Sequence, residues 1–349
     1  MDTRSFTPPA ALFRKILAGA FPASCKWLLC GLLFLYAAAE GHAQFDAQFS
    51  QYWAVTGYYN PAHAGQSDRL VVESAYSQQM SGFENAPKTM YFGANVPFKL
   101  LGRKQGVGAM FVNDQIGFFT NMYFGVQYSM KFNLFGGTLG PGIQLGMVSV
   151  GFDPSDVTVY DEDSNGEGSV GGMEGGNTDE AIPTSEESGT AFDAGVGVFY
   201  THPWFYAGIS ATHLLSPTVN WGETNEYQVK PTYYLTAGSN IKTKNPFLTV
   251  QPSLLVKSDF EQYKIDLTGR VTYDMQGKEL TGGLSYSPGT SVTFIVGGMI
   301  KNVRLSYSYE LFTNGIGASG GSHDIVFGYS MDMNFGKKAK NKHKSVRIL

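Results

Sequence analysis

The chain has 349 residues, of which 43% are hydrophobic and 14% aromatic, and a formal net charge of −4. Its two cysteines, Cys25 and Cys30, both lie near the start, so the rest of the chain has no disulfide, no thiolate metal site and no cysteine nucleophile. No apolar stretch approaches the roughly 20 residues that a membrane helix needs.

In chain order, Arg14, Lys15 and Lys26 precede an apolar run from Trp27 to Ala39, then Gly41-His42-Ala43. That order reads as a secretory signal peptide over residues 1–43, cut near Ala43. An apolar core of about 13 residues is too short for a spanning helix. Neither cysteine has the small and apolar neighbours of a lipoprotein signal.

From about residue 70 to Phe335 the chain breaks into segments of roughly ten residues with period-two alternation, the length a tilted membrane strand needs. The strands expected are Leu70 to Gln79, Thr89 to Phe98, Gln105 to Asp114, Thr120 to Phe132, Thr138 to Phe152, Ala191 to Thr201 and Trp204 to His213. Seven more follow: Pro231 to Lys242, Phe247 to Lys257, Tyr263 to Asp274, Glu279 to Tyr286, Val292 to Ile300, Val303 to Leu311 and His323 to Phe335. The sequence thus predicts an all-β, transmembrane antiparallel barrel of about 14 strands, an even number that closes with both ends on one side. Connections after even strands are short and read as periplasmic. The long ones, at 80–88, 153–190, 214–230 and 312–322, follow odd strands and read as cell-surface loops. In Ala191 to Tyr200, Phe192, Ala194, Val196, Val198 and Tyr200 share an apolar face, opposite Asp193, Gly195, Gly197 and Phe199. Phe111, Tyr123, Phe132, Phe152, Tyr200, Trp204, Tyr233 and Tyr286 are expected in interfacial girdles. A soluble sandwich or propeller is the other architecture for an exported β chain, but no blade-length repeat is present.

The most specific segment is Asp46-Ala47-Gln48-Phe49-Ser50-Gln51-Tyr52, followed by Asn60-Pro61-Ala62-His63-Ala64-Gly65. With Gly106-Val107-Gly108, Pro252-Ser253-Leu254-Leu255-Val256-Lys257 and the closing Gly321-Ser322-His323-Asp324-Ile325, it resembles the PorP/SprF family of type IX secretion membrane proteins over nearly the whole chain. Glu310, Asp324 and His63 depart from the family pattern. The resemblance implies an outer-membrane barrel that works with type IX machinery, in some members by holding a secreted gliding adhesin at the cell surface. Its motif residues, offered as partner-binding or family positions, are Gln48, Phe49, Ser50, Gln51, Tyr52, Asn60, Pro61, Gly65, Ser322 and His323. Residues 44–69 are too polar and irregular for a strand pair and are expected inside the barrel or on its periplasmic rim. Asn60-Pro61 would then make the turn into the first strand.

The 153–190 loop carries eleven acidic residues and no Lys or Arg. Within it Asp161, Asp163 and Asn165 match the first half of a calcium loop, but Gly172 stands where a bidentate Glu is needed. Single, scattered histidines give no metal site, and no cofactor motif or nucleophile elbow is present. His323 and Asp324 are adjacent and could pair. The tail 336–349 is basic, through Lys337, Lys338, Lys340, Lys342, Lys344 and Arg347, and reads either as a solubilising periplasmic tail or as a contact for an acidic periplasmic partner. The expectation is a non-enzymatic anchor whose partners are secreted cargo, periplasmic machinery and the lipid bilayer, without nucleic acid. The alternatives are a small-solute channel and, less favoured, a barrel lipase or protease.

Overall fold

A computed structural model describes residues 46–153, 158–159, 169–170, 187–221, 225–314 and 320–333. The expected signal peptide, the calcium candidates Asp161, Asp163 and Asn165, and the basic tail lie outside the described residues.

Fourteen long antiparallel strands form the wall. They are β1 (Arg69–Gln78), β2 (Lys88–Leu100), β3 (Arg103–Ile116), β4 (Phe119–Met130), β5 (Gly137–Phe152), β6 (Glu187–Thr201) and β7 (Phe205–Thr212), then β8 (Thr232–Ser239), β9 (Leu248–Ser258), β10 (Tyr263–Asp274), β11 (Lys278–Ser287), β12 (Ser291–Ile300), β13 (Val303–Phe312) and β14 (Ser322–Asp332). Each pairs with the next, and β1 pairs with β14 from Arg69↔Asp332 to Gln78↔His323, so the sheet closes without an edge. The sequence placed every strand, with ends shifted by a few residues. Its eighth strand is interrupted near Asn240 into Thr232–Ser239 and Ile241–Lys242, and its fourth splits at Lys131, with Phe132–Leu134 forming a short ladder on β5.

Alternation sets the two faces. In β6, Phe192 is 75% exposed while Asp193 and Phe199 are buried at 2% and 4%. Apolar side chains thus coat the outside and small or polar ones fill the bore. The register aligns Phe92, Phe111, Phe124, Met147 and Phe192 in one lateral row across β2 to β6, all exposed. Two girdle assignments fail: Tyr123 and Phe152 are buried on the inner face, because residue parity along a strand, not aromatic character, decides the face. Trp204 and Tyr286 are exposed at opposite ends of the wall.

One end of the barrel carries tight turns such as Leu101-Gly102 and Lys301-Asn302; the other carries the longer connections. At that long-loop end, Thr218–Trp221 and Asn225–Gln228 form a hairpin between β7 and β8. The hairpin lies over β6, where the carbonyl of Asn220 occupies the space a Cβ on Gly189 would need, and Val219 is buried with the lumenal core.

Candidate functional site

The bore is filled by the chain's own residues 46–65. This segment folds as three short turns, Tyr52–Ala54, Thr56–Tyr59 and Pro61–His63. Asn60 caps the last turn by accepting a hydrogen bond from the Ala62 amide at 2.9 Å, and Pro61 sits at the first helical position, where its missing N–H costs nothing. Phe49, Tyr52, Val55, Tyr58 and Tyr59 pack as one buried cluster against Tyr91, Met110, Val148, Tyr234, Leu255 and Val326 of the wall. Phe49 meets Tyr58 and Tyr91 edge-on at 5.5 and 6.0 Å.

Backbone polar groups buried without partners would be costly, and side chains of the wall satisfy them. Gln127 donates to the Gly57 carbonyl at 2.7 Å, Ser210 to the Tyr59 carbonyl at 2.6 Å, and Ser129 and Lys131 both to the Ala62 carbonyl at 3.1 and 2.6 Å. In the other direction, Asn60 Nδ2 donates to the carbonyls of Val198 and Ile209, each at 3.2 Å. Room for this approach comes from glycines. A Cβ on Gly142 would lie 2.4 Å from Ala62 Cα, and one on Gly106 would lie 2.2 Å from the Ala64 carbonyl oxygen.

The motif residues mostly converge on this plug. Gln48 accepts from Lys264 at 2.9 Å. The Ser50 amide donates to Asp324 at 2.6 Å, and Gln51 exchanges hydrogen bonds with Ser306 (2.6 Å) and Ser308 (3.2 Å). The Tyr52 hydroxyl lies 2.9 Å from that of Ser253 and 3.2 Å from that of Thr268. Gly65 adopts φ +62°, which favours glycine, and its amide donates to Asn95 at 3.1 Å. The turn toward β1 is therefore made at His63 to Gln66, one step after the Asn60-Pro61 position expected for it. Ser322 is buried and its hydroxyl accepts from the Met80 amide at the long-loop rim. His323 does not join the plug. It points outward and bonds the Tyr307 hydroxyl at 2.7 Å, while Asp324, next in the strand, points inward, so the two do not pair.

The electrostatic centre was not legible beforehand. His213, just beyond β7, lies with Nε2 2.8 Å from Asp46 Oδ1 and Nδ1 2.8 Å from Asp193 Oδ2. Tyr234 also donates to the Asp46 carboxylate, and Lys257 donates to the Asp46 carbonyl at 2.7 Å. Burial disfavours a charged His213, but the charge and hydrogen bond of Asp46, with Asp193 beside it, outweigh that cost and push the imidazole up to about 10. Burial likewise opposes an ionised Asp46, yet His213, Lys257 and Tyr234 hold it well below the usual carboxylate range. The scattered histidines of the sequence thus include one imidazolium clamped between two carboxylates 167 and 20 residues away. Each carboxylate takes a different ring nitrogen, an arrangement of an ion pair rather than of a metal site. Among the described residues no group of three or more His, Cys, Asp or Glu could hold a metal. A small cavity of about 40 Å³ adjoins the cluster, bounded by Asp46, Tyr58, Met110, Val112, Asp114 and His213.

In fold the chain is similar to the Pseudomonas putida toluene transporter TodX, at 10% identity and TM-score 0.45, over 85% of this chain and 96% of that one. It is also similar to the CymD monoaromatic hydrocarbon channel (10%, 0.45, 82% and 94%) and to a Pseudomonas aeruginosa FadL homologue (11%, 0.42, 78% and 91%). No curated protein matches the chain. The family model described as type IX secretion system membrane protein PorP/SprF matches residues 41–344, and the chain belongs to that family.

Proposed function

We propose that this chain is an exported outer-membrane component of the type IX system that binds a secreted surface protein, such as a gliding adhesin or its sorting domain, at its long-loop end. The observation that carries this reading is the occupied bore. A plug bonded to the wall from Asn95 on β2 round to Asp324 on β14 suits a barrel that holds proteins at its rims better than one that passes solutes. The acidic 153–190 connection then belongs to the cell-surface side, and the basic tail to the periplasmic side, near the machinery. The role is one of binding, without catalysis. The family supports a place in secretion, and the apolar run from Trp27 to Ala39 behind basic residues, read as a signal peptide, supports export.

The reading is tested by affinity capture of the tagged protein from gently solubilised outer membranes, with mass spectrometry of what accompanies it and of its own amino terminus. Recovery of a very large secreted protein or of type IX components, on a chain beginning near Gln44, is the expected result. A barrel recovered alone that conducts ions in a planar bilayer would overturn it in favour of a small-solute channel.

A further inference from the structure

We propose that the polypeptide is threaded through its own barrel, so that the chain ahead of Asp46 opens at the long-loop mouth, opposite the end at which the last strand finishes. The direction follows from the order of contacts along the plug. Asp46 is held by His213 and Tyr234, next to the long-loop ends of β7 and β8, and its carbonyl by Lys257, next to the long-loop end of β9. Descending, Gln51 meets Ser306 and Ser308, and Gly57 meets Gln127 in mid-wall. Ala62 is held by Ser129 and Lys131, where β4 ends at the tight-turn rim, and Gly65 lies on Gly106, near the tight-turn start of β3. The chain then reverses into β1. Arg69 stands at the tight-turn rim, 2.5 Å from Asp332, the last residue of β14.

The bore is thus crossed once, from one mouth to the other, before the first wall strand begins. Both ends of that crossing are fixed. The upper one is the charged cluster at Asp46, and the lower one is the pair of glycine notches at Gly106 and Gly142, which admit the backbone and no added side chain. The consequence for binding is an amino-terminal end delivered to the rim with the long connections, where a surface protein would meet it. The carboxyl-terminal residues start from the other rim. Naming the two sides rests on the proposed orientation, whereas the threading itself does not.

The two cysteines of the chain precede the expected cut, so a processed protein offers a thiol-free background. Single variants Phe45→Cys and Ser345→Cys would each be treated on intact cells with a membrane-impermeant maleimide, then again after the outer membrane is disrupted, beside the unmodified chain. The expected result is Phe45→Cys labelled on intact cells as fully as after disruption, and Ser345→Cys labelled only after it. If both thiols are protected on intact cells and both react after disruption, the threading is wrong. If Ser345→Cys alone reacts on intact cells, the two ends still lie on opposite sides and the threading stands, but the barrel faces the other way and the proposed orientation falls. Should the thiol at position 45 react in neither state, a short epitope tag inserted between Phe45 and Asp46 decides. Antibody binding on intact cells with Ser345→Cys protected is then the supporting result, and binding only after disruption with Ser345→Cys also protected on intact cells the overturning one.

Discussion

The two halves of the bore hold the same plug by different means. Along β2 to β7 the contacts run mostly through plug backbone: glycines at 106 and 142 let it come close, those at 197 and 208 make room for the Asn60 side chain, and Asn95, Gln127, Ser129, Lys131 and Ser210 bond plug amides and carbonyls. Along β9 to β14 the wall offers mostly hydroxyls, and plug side chains reach out to them, Tyr52 to Ser253 and Thr268, and Gln51 to Ser306 and Ser308. The first half mainly fits the shape of a main chain. The second mainly reads which side chains it carries, with Lys257 and Asp324 adding bonds to the Asp46 carbonyl and the Ser50 amide. A rotating hydroxyl can re-aim at a substituted neighbour, whereas a space left by an absent Cβ cannot be refilled without displacing backbone.

The clamp at the mouth offers the largest perturbation of this arrangement. In His213→Ala, Asp46 and Asp193 lose the imidazolium between them, and removal of one partner of a buried ionic group costs about 3 to 5 kcal/mol. Protease cutting within residues 46–65 of the folded barrel should rise sharply, with no comparable change in the folding of the wall as read by heat-modified mobility on gels. If cutting stays at the unmodified level, the clamp does not hold the plug.

The glycine half should come next. Gly142→Ala places a Cβ 2.4 Å from Ala62 Cα, and overpacking of this kind costs about 1 to 3 kcal/mol. It should release the plug in the same cutting assay and raise ion conductance in a planar bilayer. Gly269→Ala is the control, because its Cβ would meet nothing within 4 Å. The hydroxyl half should respond least. Tyr52→Phe removes one hydroxyl from a group in which Thr268 and Ser285 can still bond each other at 2.7 Å, so a loss of about 1 kcal/mol is expected. A larger effect from Tyr52→Phe than from Gly142→Ala would reverse the contrast between the halves.

Acidity sharpens the picture further. Burial, with Lys131 adding to it, holds His63 down to about 4, so the folded plug keeps this ring neutral. The unfolded chain takes up a proton near the ordinary histidine value of about 6.5, and stability is therefore full above that pH and falls as pH drops toward about 4. His213 works in the opposite sense. Its raised value means a contribution complete below about 6.5 and lost as pH rises through about 10. Plug protection should decline on both sides of neutrality, and His63→Tyr should remove the acid limb while leaving the alkaline one.

The wall was legible because its signal is local: period-two alternation, segment length and the sorting of short and long connections are all readable along the chain. So was the identity of the plug, through the run from Asp46 to Gly65, although only the structure placed it within the bore and not on the rim. The partners of that run were not legible. Asp46, Asp193 and His213 look in sequence like three unrelated polar residues, and Ser306, Ser308 and Thr268 like ordinary inner-face positions. Their convergence depends on the closing of 14 strands around a segment whose own path has no periodicity. Tyr123 shows the same limit from the other side, since its aromatic character suggested the lipid interface and its parity put it in the bore.

The hydrogen bond from the Ser50 amide to Asp324 joins one of the first described residues to the final strand of the wall. Since β14 also completes the ring by pairing with β1, the last strand to be made is the one that meets both the first strand and the plug. The closing strand is therefore tied to the contents of the bore as well as to β1. A ring closed over an empty bore would leave the inward-facing Asp324 carboxylate with one fewer donor, at the strand that completes the wall.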